Sequence, residues 1–323
     1  MEVWGGNRAI DNGVVMPGMD AWVYSRPYAG KPESGGSATG AAEAGGDIHY
    51  VSSCASGRIT RLIVADVSGH GAPVAKAAEA LRRLMRRHSN YIDQTRLVEA
   101  VNREFGEIGE NAIGEGGAMF ATAVVATYFS PTDELAVSNA GHPLPMWYDA
   151  RARTWSRIEQ AAVKGAAGPS NLPLGVLDES RYPAATIRLR PDDLVLFYTD
   201  SLIEAKDAEG RLLGQDGLQR ILAEIDPARP EGLVAELINR IADLSGTLAF
   251  DDDVTALLVR RNALKVRPSL GLATLAGYRI VREAAKSWLP GSLPASWPQL
   301  SIRSIAGAFS SRAGSTGSGY SPT

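Results

Sequence analysis

One cysteine, Cys54, and four histidines are all that this 323-residue chain has for disulfide or soft-metal chemistry. A lone cysteine excludes an internal disulfide and a cysteine-rich zinc site, and no two histidines stand at the i, i+4 spacing of a helical zinc motif. Charge of one sign is also scarce. Against 36 Asp and Glu there are 33 Lys and Arg, a net charge of −3, which gives no excess of cations to hold nucleic acid non-specifically. No apolar run approaches the ~20 residues of a membrane span; the longest strand-like run is Leu194–Tyr198. The start, Met1-Glu2-Val3-Trp4-Gly5-Gly6, lacks the basic residues and apolar core of a secretory signal. These absences predict a soluble, cytoplasmic protein with no nucleic-acid or membrane partner. Any metal chemistry it has must run on carboxylates.

What is present is an ordinary globular balance, 45% hydrophobic and 21% charged. The length fits one large or two medium domains. Asp20–Ser25 reads as a first short strand, residues 31–46 as a flexible loop rich in Gly, Ala and Ser, and Ile48–Ser53 and Ile59–Ala65 as two further strands. The period then becomes helical over Pro73–Tyr91, where Val74, Ala77, Ala78, Leu81, Leu84 and Met85 form the apolar stripe. Arg82, Arg83, Arg86 and Arg87 fall mostly off that stripe and read as a solvated face. A second helix is expected from Asp93, as its cap, to Glu107. Strands follow at Ala118–Tyr128, Leu135–Asn139, Leu144–Tyr148, Ala184–Leu189 and Leu194–Tyr198, then helices at Gln215–Ile225 and Gly232–Leu244, and a last strand at Val254–Arg260. Strands, two helices, many consecutive strands, two helices, strand is an α+β order with hairpin-linked sheets, not an alternating parallel one. The pattern predicts one domain over residues 1–262. Residues 263–306 read as a C-terminal extension with an amphipathic helix at Tyr278–Trp288, and 307–323 as a disordered tail.

Four acids stand beside apolar strands: Asp47 before Ile48, Asp66 after Ile63-Val64-Ala65, Asp200 after Leu194–Thr199, and Asp252 before Val254. One such Asp is ordinarily a turn former or helix cap. Four of them, brought to one edge of stacked sheets with no matching Lys or Arg in these motifs, concentrate charge that needs compensation. Divalent cations are the simplest source, and an all-carboxylate site prefers Mg²⁺ or Mn²⁺ to zinc. Asp251 and Asp253 flank Asp252; one of the three is a candidate ligand, the others being solvated or supporting the loop.

In order, Gly45-Gly46-Asp47, Ala65-Asp66-Val67-Ser68-Gly69-His70-Gly71, Asn139-Ala140-Gly141-His142-Pro143, Tyr198-Thr199-Asp200-Ser201-Leu202-Ile203-Glu204-Ala205 and Asp252-Asp253-Val254-Thr255 resemble motifs of the PPM family of metal-dependent serine/threonine phosphatases, in its bacterial SpoIIE/RsbU-like branch. The resemblance spans roughly residues 20–262. It implies a four-layer α-β-β-α sandwich, with two antiparallel sheets face to face and a helix pair on each outer side. It also implies that Asp66 bridges two Mn²⁺ or Mg²⁺ ions, that the Val67 carbonyl, Asp200 and Asp252 are further ligands, and that Asp47 binds directly or through water. Two metals ~3.5–4 Å apart would activate a water for in-line attack, without a covalent phosphoenzyme. The implied substrate is a phosphorylated regulatory protein, such as an anti-sigma-factor antagonist.

Two positions depart from the family. Ser201 stands where Gly is usual, a cost of about 1 kcal/mol or more if that residue needs positive φ. Ser68 stands where animal members keep a histidine acid, and His70 is not assigned that role. A Ser68–His70 hydrolase lacks the strained nucleophile elbow, and the glycines around them lack a P-loop's Lys. His142 reads as a structural turn residue and Cys54 as a small core hydrophobe. A PPM-like module that binds a phosphoprotein without efficient turnover, and a hydrolase of small phosphate esters, remain alternatives.

Overall fold

The computed structural model describes residues 2–28, 45–54, 57–69, 72–89, 91, 93–111, 119–159, 169–245, 250 and 252–264. The helix expected at Tyr278–Trp288, the tail, most of the 31–46 loop, His70 and Asp251 lie outside them.

Among the described residues, twelve strands form two antiparallel sheets. The first contains β1 (Glu2–Gly6), β4 (Asp47–Ser53), β5 (Ile59–Val67), β6 (Ala121–Phe129), β7 (Glu134–Ala140) and β10 (Ala185–Arg188), in the order β1-β4-β5-β6-β7-β10. The second contains β2 (Ile10–Met16), β3 (Met19–Arg26), β8 (Met146–Asp149), β9 (Thr154–Arg157), β11 (Leu194–Tyr198) and β12 (Val254–Arg261), in the order β2-β3-β12-β11-β8-β9. The helices are α1 (Ala72–His88), α2 (Gln94–Asn111), the short α3 (Ser201–Glu204), α4 (Gly214–Glu224) and α5 (Pro230–Ser245).

Strand alternation sorts the buried side chains into three layers. On β5, Ile63, Ala65 and Val67 face α1 and α2, meeting Leu81, Met85, Val98 and Phe105. Their neighbours Leu62 and Val64 turn the other way, against Val23, Phe197, Leu257 and Val259 of the second sheet. The outer face of that sheet, Leu196, Tyr198 and Leu258, meets Leu218, Leu222, Leu237 and Ile241 of α4 and α5. This is the expected α-β-β-α sandwich. Asp93 caps α2 as expected, its Oδ1 accepting from the Arg96 N–H at 3.1 Å.

Three strands and one short helix escaped the sequence pattern. β2 (IDNGVVM) is an edge strand with mostly exposed side chains, so it carries no apolar period. β1 and β9 are short edge strands, and α3 is a single turn. Cys54 is a correction. It is half-buried in the turn between β4 and β5, where Sγ accepts from the Ile59 N–H at 3.2 Å.

Candidate active site

The acids converge because the two sheets present matching ends. β4 and β5 pair in a register that sets Asp47 directly opposite Asp66, with Thr122 of β6 opposite Asp66 on its other side. The second sheet delivers Asp200 just past β11 and Asp252 just before β12, and these two strands are paired neighbours.

Asp47 is 3% exposed and is held from the opposite sheet. The Thr199 hydroxyl donates to its Oδ2 at 2.9 Å, while the same oxygen of Thr199 accepts from the Thr255 N–H at 3.0 Å. The Thr255 hydroxyl in turn meets that of Ser25 at 2.9 Å. A buried network through Thr199, Thr255 and Ser25 thus ties a carboxylate of one sheet to β12, β3 and the residue after β11 in the other.

Asp253 has a separate duty. Its carboxylate accepts from the N–H groups of Tyr28 (2.6 Å), Gly46 (2.5 Å) and Asp47 (3.2 Å), anchoring the turn that carries Asp47. The turn can come this close only because it is glycine: a Cβ on Gly45 would lie 2.0 Å from Asp253 Oδ2, and one on Gly46 2.9 Å from the Val67 carbonyl oxygen. Asp253 therefore supports the loop, one of the roles left open for it.

The electrostatics follow from crowding. Burial raises the Asp66 carboxyl to about 7, helped by repulsion from Asp200, Asp252, Asp253 and Glu204. Asp47 is raised well above the usual range by burial, then by Asp66 and Asp253, against the lowering hydrogen bonds of Thr255 and Thr199. Asp200 and Asp252 are raised too, chiefly by burial, with Glu204 adding to the first and Asp253 and Asp200 to the second. Among the described residues, no cationic side chain is among the main groups acting on the four.

These oxygen donors suit a hard divalent cation, which would relieve their mutual repulsion. Among the described residues, however, no group of three or more His, Cys, Asp or Glu side chains is arranged to hold a metal ion. The acids share a neighbourhood rather than a closed coordination shell. Glu204, Thr199 and the anchoring role of Asp253 were not assigned from the sequence. The helical spacing from Asp200 to Glu204 was the one available signal for Glu204.

Ser201 is not a point of strain. Asp200 has φ −61° and ψ −25°, Ser201 opens α3, and it is absent from the non-glycine residues with positive φ. The Ser68 hydroxyl donates to the Phe120 carbonyl at 2.8 Å. His142 is the expected turn residue: its N–H donates to Asn139 Oδ1 at 2.8 Å and its carbonyl accepts from Asn139 Nδ2 at 2.7 Å. Its imidazole, beside the Thr122 hydroxyl, is lowered to about 3 by burial.

Two packed antiparallel sheets, helix pairs outside them and acids gathered at one edge define the PPM, or PP2C, phosphatase class. The chain belongs to the SpoIIE family: the profile described as Stage II sporulation protein E (SpoIIE) matches residues 56–262. It is accordingly a phosphatase of the PPM type. Among solved structures, it is similar to the RsbU and RsbW domains of Rv1364c from Mycobacterium tuberculosis, at 25% identity and a TM-score of 0.57, covering 86% of this chain and 71% of that one. It is also similar to the SiaA-PP2C domain of Pseudomonas aeruginosa, at 16% identity and a TM-score of 0.57, covering 74% and 85%. A third is RsbX in complex with magnesium, at 14% identity and a TM-score of 0.52, covering 78% and 99%.

Proposed function

We propose that the chain removes phosphate from phosphoserine or phosphothreonine of a regulatory protein, using two Mg²⁺ or Mn²⁺ ions held by Asp47, Asp66, the Val67 carbonyl, Asp200 and Asp252. The observation that carries this reading is four acids from two sheets brought to one edge, where burial and neighbouring acids raise each carboxyl and no cationic side chain is a main influence among the described residues. Such ions, when bound, supply the activation of water and the charge neutralisation that phosphate-monoester hydrolysis needs. The protein's own part is positioning. Thr199 aims Asp47, Asp253 holds the glycine turn, and the Asp47–Asp66 pairing sets two acids across one rung of the sheet. Ser68 is committed to the Phe120 carbonyl, which supports a mechanism without a serine nucleophile. The partner is a phosphorylated regulatory protein, such as an anti-sigma-factor antagonist, in the cytoplasm. Magnesium in the RsbX crystal supports the choice of ion.

The open arrangement of the acids favours a second reading, a module that binds a phosphoprotein without efficient turnover. Phosphate release from a phosphoserine peptide, with Mn²⁺ and then with chelator, separates them. Metal-dependent release is expected. Peptide binding without release would establish the second reading, and hydrolysis of a generic ester but not the peptide would mark a small-molecule hydrolase.

A further inference from the structure

The turn at 139–143 does more than reverse the chain: it sets a side chain beside the acids. Its backbone is fixed twice. Asn139 closes it onto the His142 N–H and carbonyl, and Gly141, at φ +69°, packs so tightly that a Cβ would lie 2.7 Å from Pro173 Cγ. The imidazole that this turn delivers is 5% exposed and meets Thr122 Oγ1 through Nδ1 at 2.8 Å. Thr122 is half-buried and directly opposite Asp66, which is directly opposite Asp47. Residues opposite one another in antiparallel strands share a face, and on β5 the residues alternating with Asp66, Leu62 and Val64, face the second sheet. One rung therefore carries Asp47, Asp66 and the Thr122 hydroxyl side by side on that inner face.

The second sheet reaches the same ring. The Tyr198 carbonyl, two residues before Asp200, acts on the imidazole against the burial that lowers it to about 3, although Nε2 makes no hydrogen bond of normal geometry among the described residues. The ring is neutral and carries a single N–H. With Nδ1 engaged by Thr122, the carbonyl favours the proton on Nε2, which leaves Nδ1 to accept from the Thr122 hydroxyl. Thr122 Oγ1 then has only lone pairs left for the cleft. A neutral oxygen of this kind beside carboxylates suits a hard cation and adds no charge.

We propose that His142 is a positioning residue for the cation site: it accepts from the Thr122 hydroxyl so that Oγ1 stands beside Asp66 as a further oxygen donor, and it spaces β6 of one sheet from the Asp200 end of β11 in the other. This role rests on the reading of the acids as a Mg²⁺ or Mn²⁺ site.

The test is Mn²⁺ binding by the full chain, read by calorimetry beside urea denaturation in chelator. His142→Phe keeps the bulk of the ring and loses both nitrogens. It should weaken Mn²⁺ binding about tenfold or more, and His142→Asn, whose amide takes the place of Nδ1, should recover part of that loss. Thr122→Val should weaken binding by a similar factor. The double variant should lose no more than either alone, since one residue acts through the other. If His142→Phe does not fold, His142→Gln, whose amide sits at the Nε2 position and not at Nδ1, takes its place. A purely structural role would lower stability and leave the affinity of the folded protein unchanged. Unchanged affinity in a folded His142 or Thr122 variant, or additive losses in the double variant, overturns the proposal. Phosphate release from a phosphoserine peptide separates this role from the phosphatase reading. Ion binding that depends on both residues, with no release, condemns that reading and leaves the positioning role standing. An unmodified chain that binds no Mn²⁺ overturns both.

Discussion

The two ends of β12 treat their acids in opposite ways. At its C-terminal end Arg260 grips Asp20 through Nε (3.0 Å) and Nη2 (2.6 Å), and Asn262 Nδ2 adds a bond at 2.7 Å. Arg261 likewise holds Asp133 through Nε (3.0 Å) and Nη2 (2.9 Å), with the Tyr128 hydroxyl donating at 2.8 Å. At its N-terminal end Asp252 stands with Asp66 and Asp200, and among the described residues no cationic side chain is a main influence on them. Acids that the chain neutralises itself hold the fold together. Acids that it leaves repelling one another weaken the fold, and that cost marks a site for an outside charge.

The largest effect expected is on turnover. Asp66→Asn should lower it by at least ~10³-fold, because a charge complementing the reacting centre is lost, yet leave metal-free stability equal or higher. Asp20→Asn should do the reverse. It strips the partner from an arginine about one-third exposed, costing about 2–3 kcal/mol, below the range for a fully buried pair, with little change in rate. Urea denaturation beside phosphate release checks both; equal destabilisation by the two variants would erase the contrast.

Next comes pH. The Asp66 carboxyl is raised from 3.8 to about 7 in the fold. Between these values the folded chain holds a proton that the unfolded chain has released, so metal-free stability falls as pH rises through that window. Mn²⁺ should stabilise more at the upper end than at the lower. Denaturation in chelator from acid to neutral pH reads the slope, and stability rising over this interval would contradict it.

Thr199→Val removes the donor to Asp47 and the acceptor for the Thr255 N–H. It should cost about 1–3 kcal/mol of stability and roughly tenfold in Mn²⁺ affinity, with Thr199→Ser restoring both. The smallest effect concerns the chain's end. Termination after Leu264 should shift stability by no more than about 0.5 kcal/mol. Termination after Arg261 should cost about 1–2 kcal/mol, because Asn262 Nδ2 bonds the Met16 carbonyl and Asp20.

The sandwich was legible because its central strands are apolar runs: β5, β6, β11 and β12 were placed within a few residues. Three of the four edge strands, β1, β2 and β9, were not; β2 exposes most of its side chains and the other two are short. The four acids were legible because each abuts a strand. Their supports were not, because Thr199 meets Asp47 across 152 residues of sequence, and only the packing of the two sheets brings them together. Arg82 read as part of a solvated face. It is half-buried, because a helical wheel shows which residues leave the apolar stripe but not that β1 packs beside this helix.

The cross-strand pairing of Asp47 with Asp66 also bears on local opening. Like charges facing each other across one rung push apart the strand ends that the ladder draws together. The last rung beyond them, from the Val67 N–H to the Gly46 carbonyl, is already long at 3.3 Å. The sheet is therefore poised to fray from this end, and a divalent ion between the two carboxylates would act as the missing stitch. Amide exchange at Val67 then becomes a gauge of metal occupancy, slow when the ion is bound and fast when it leaves.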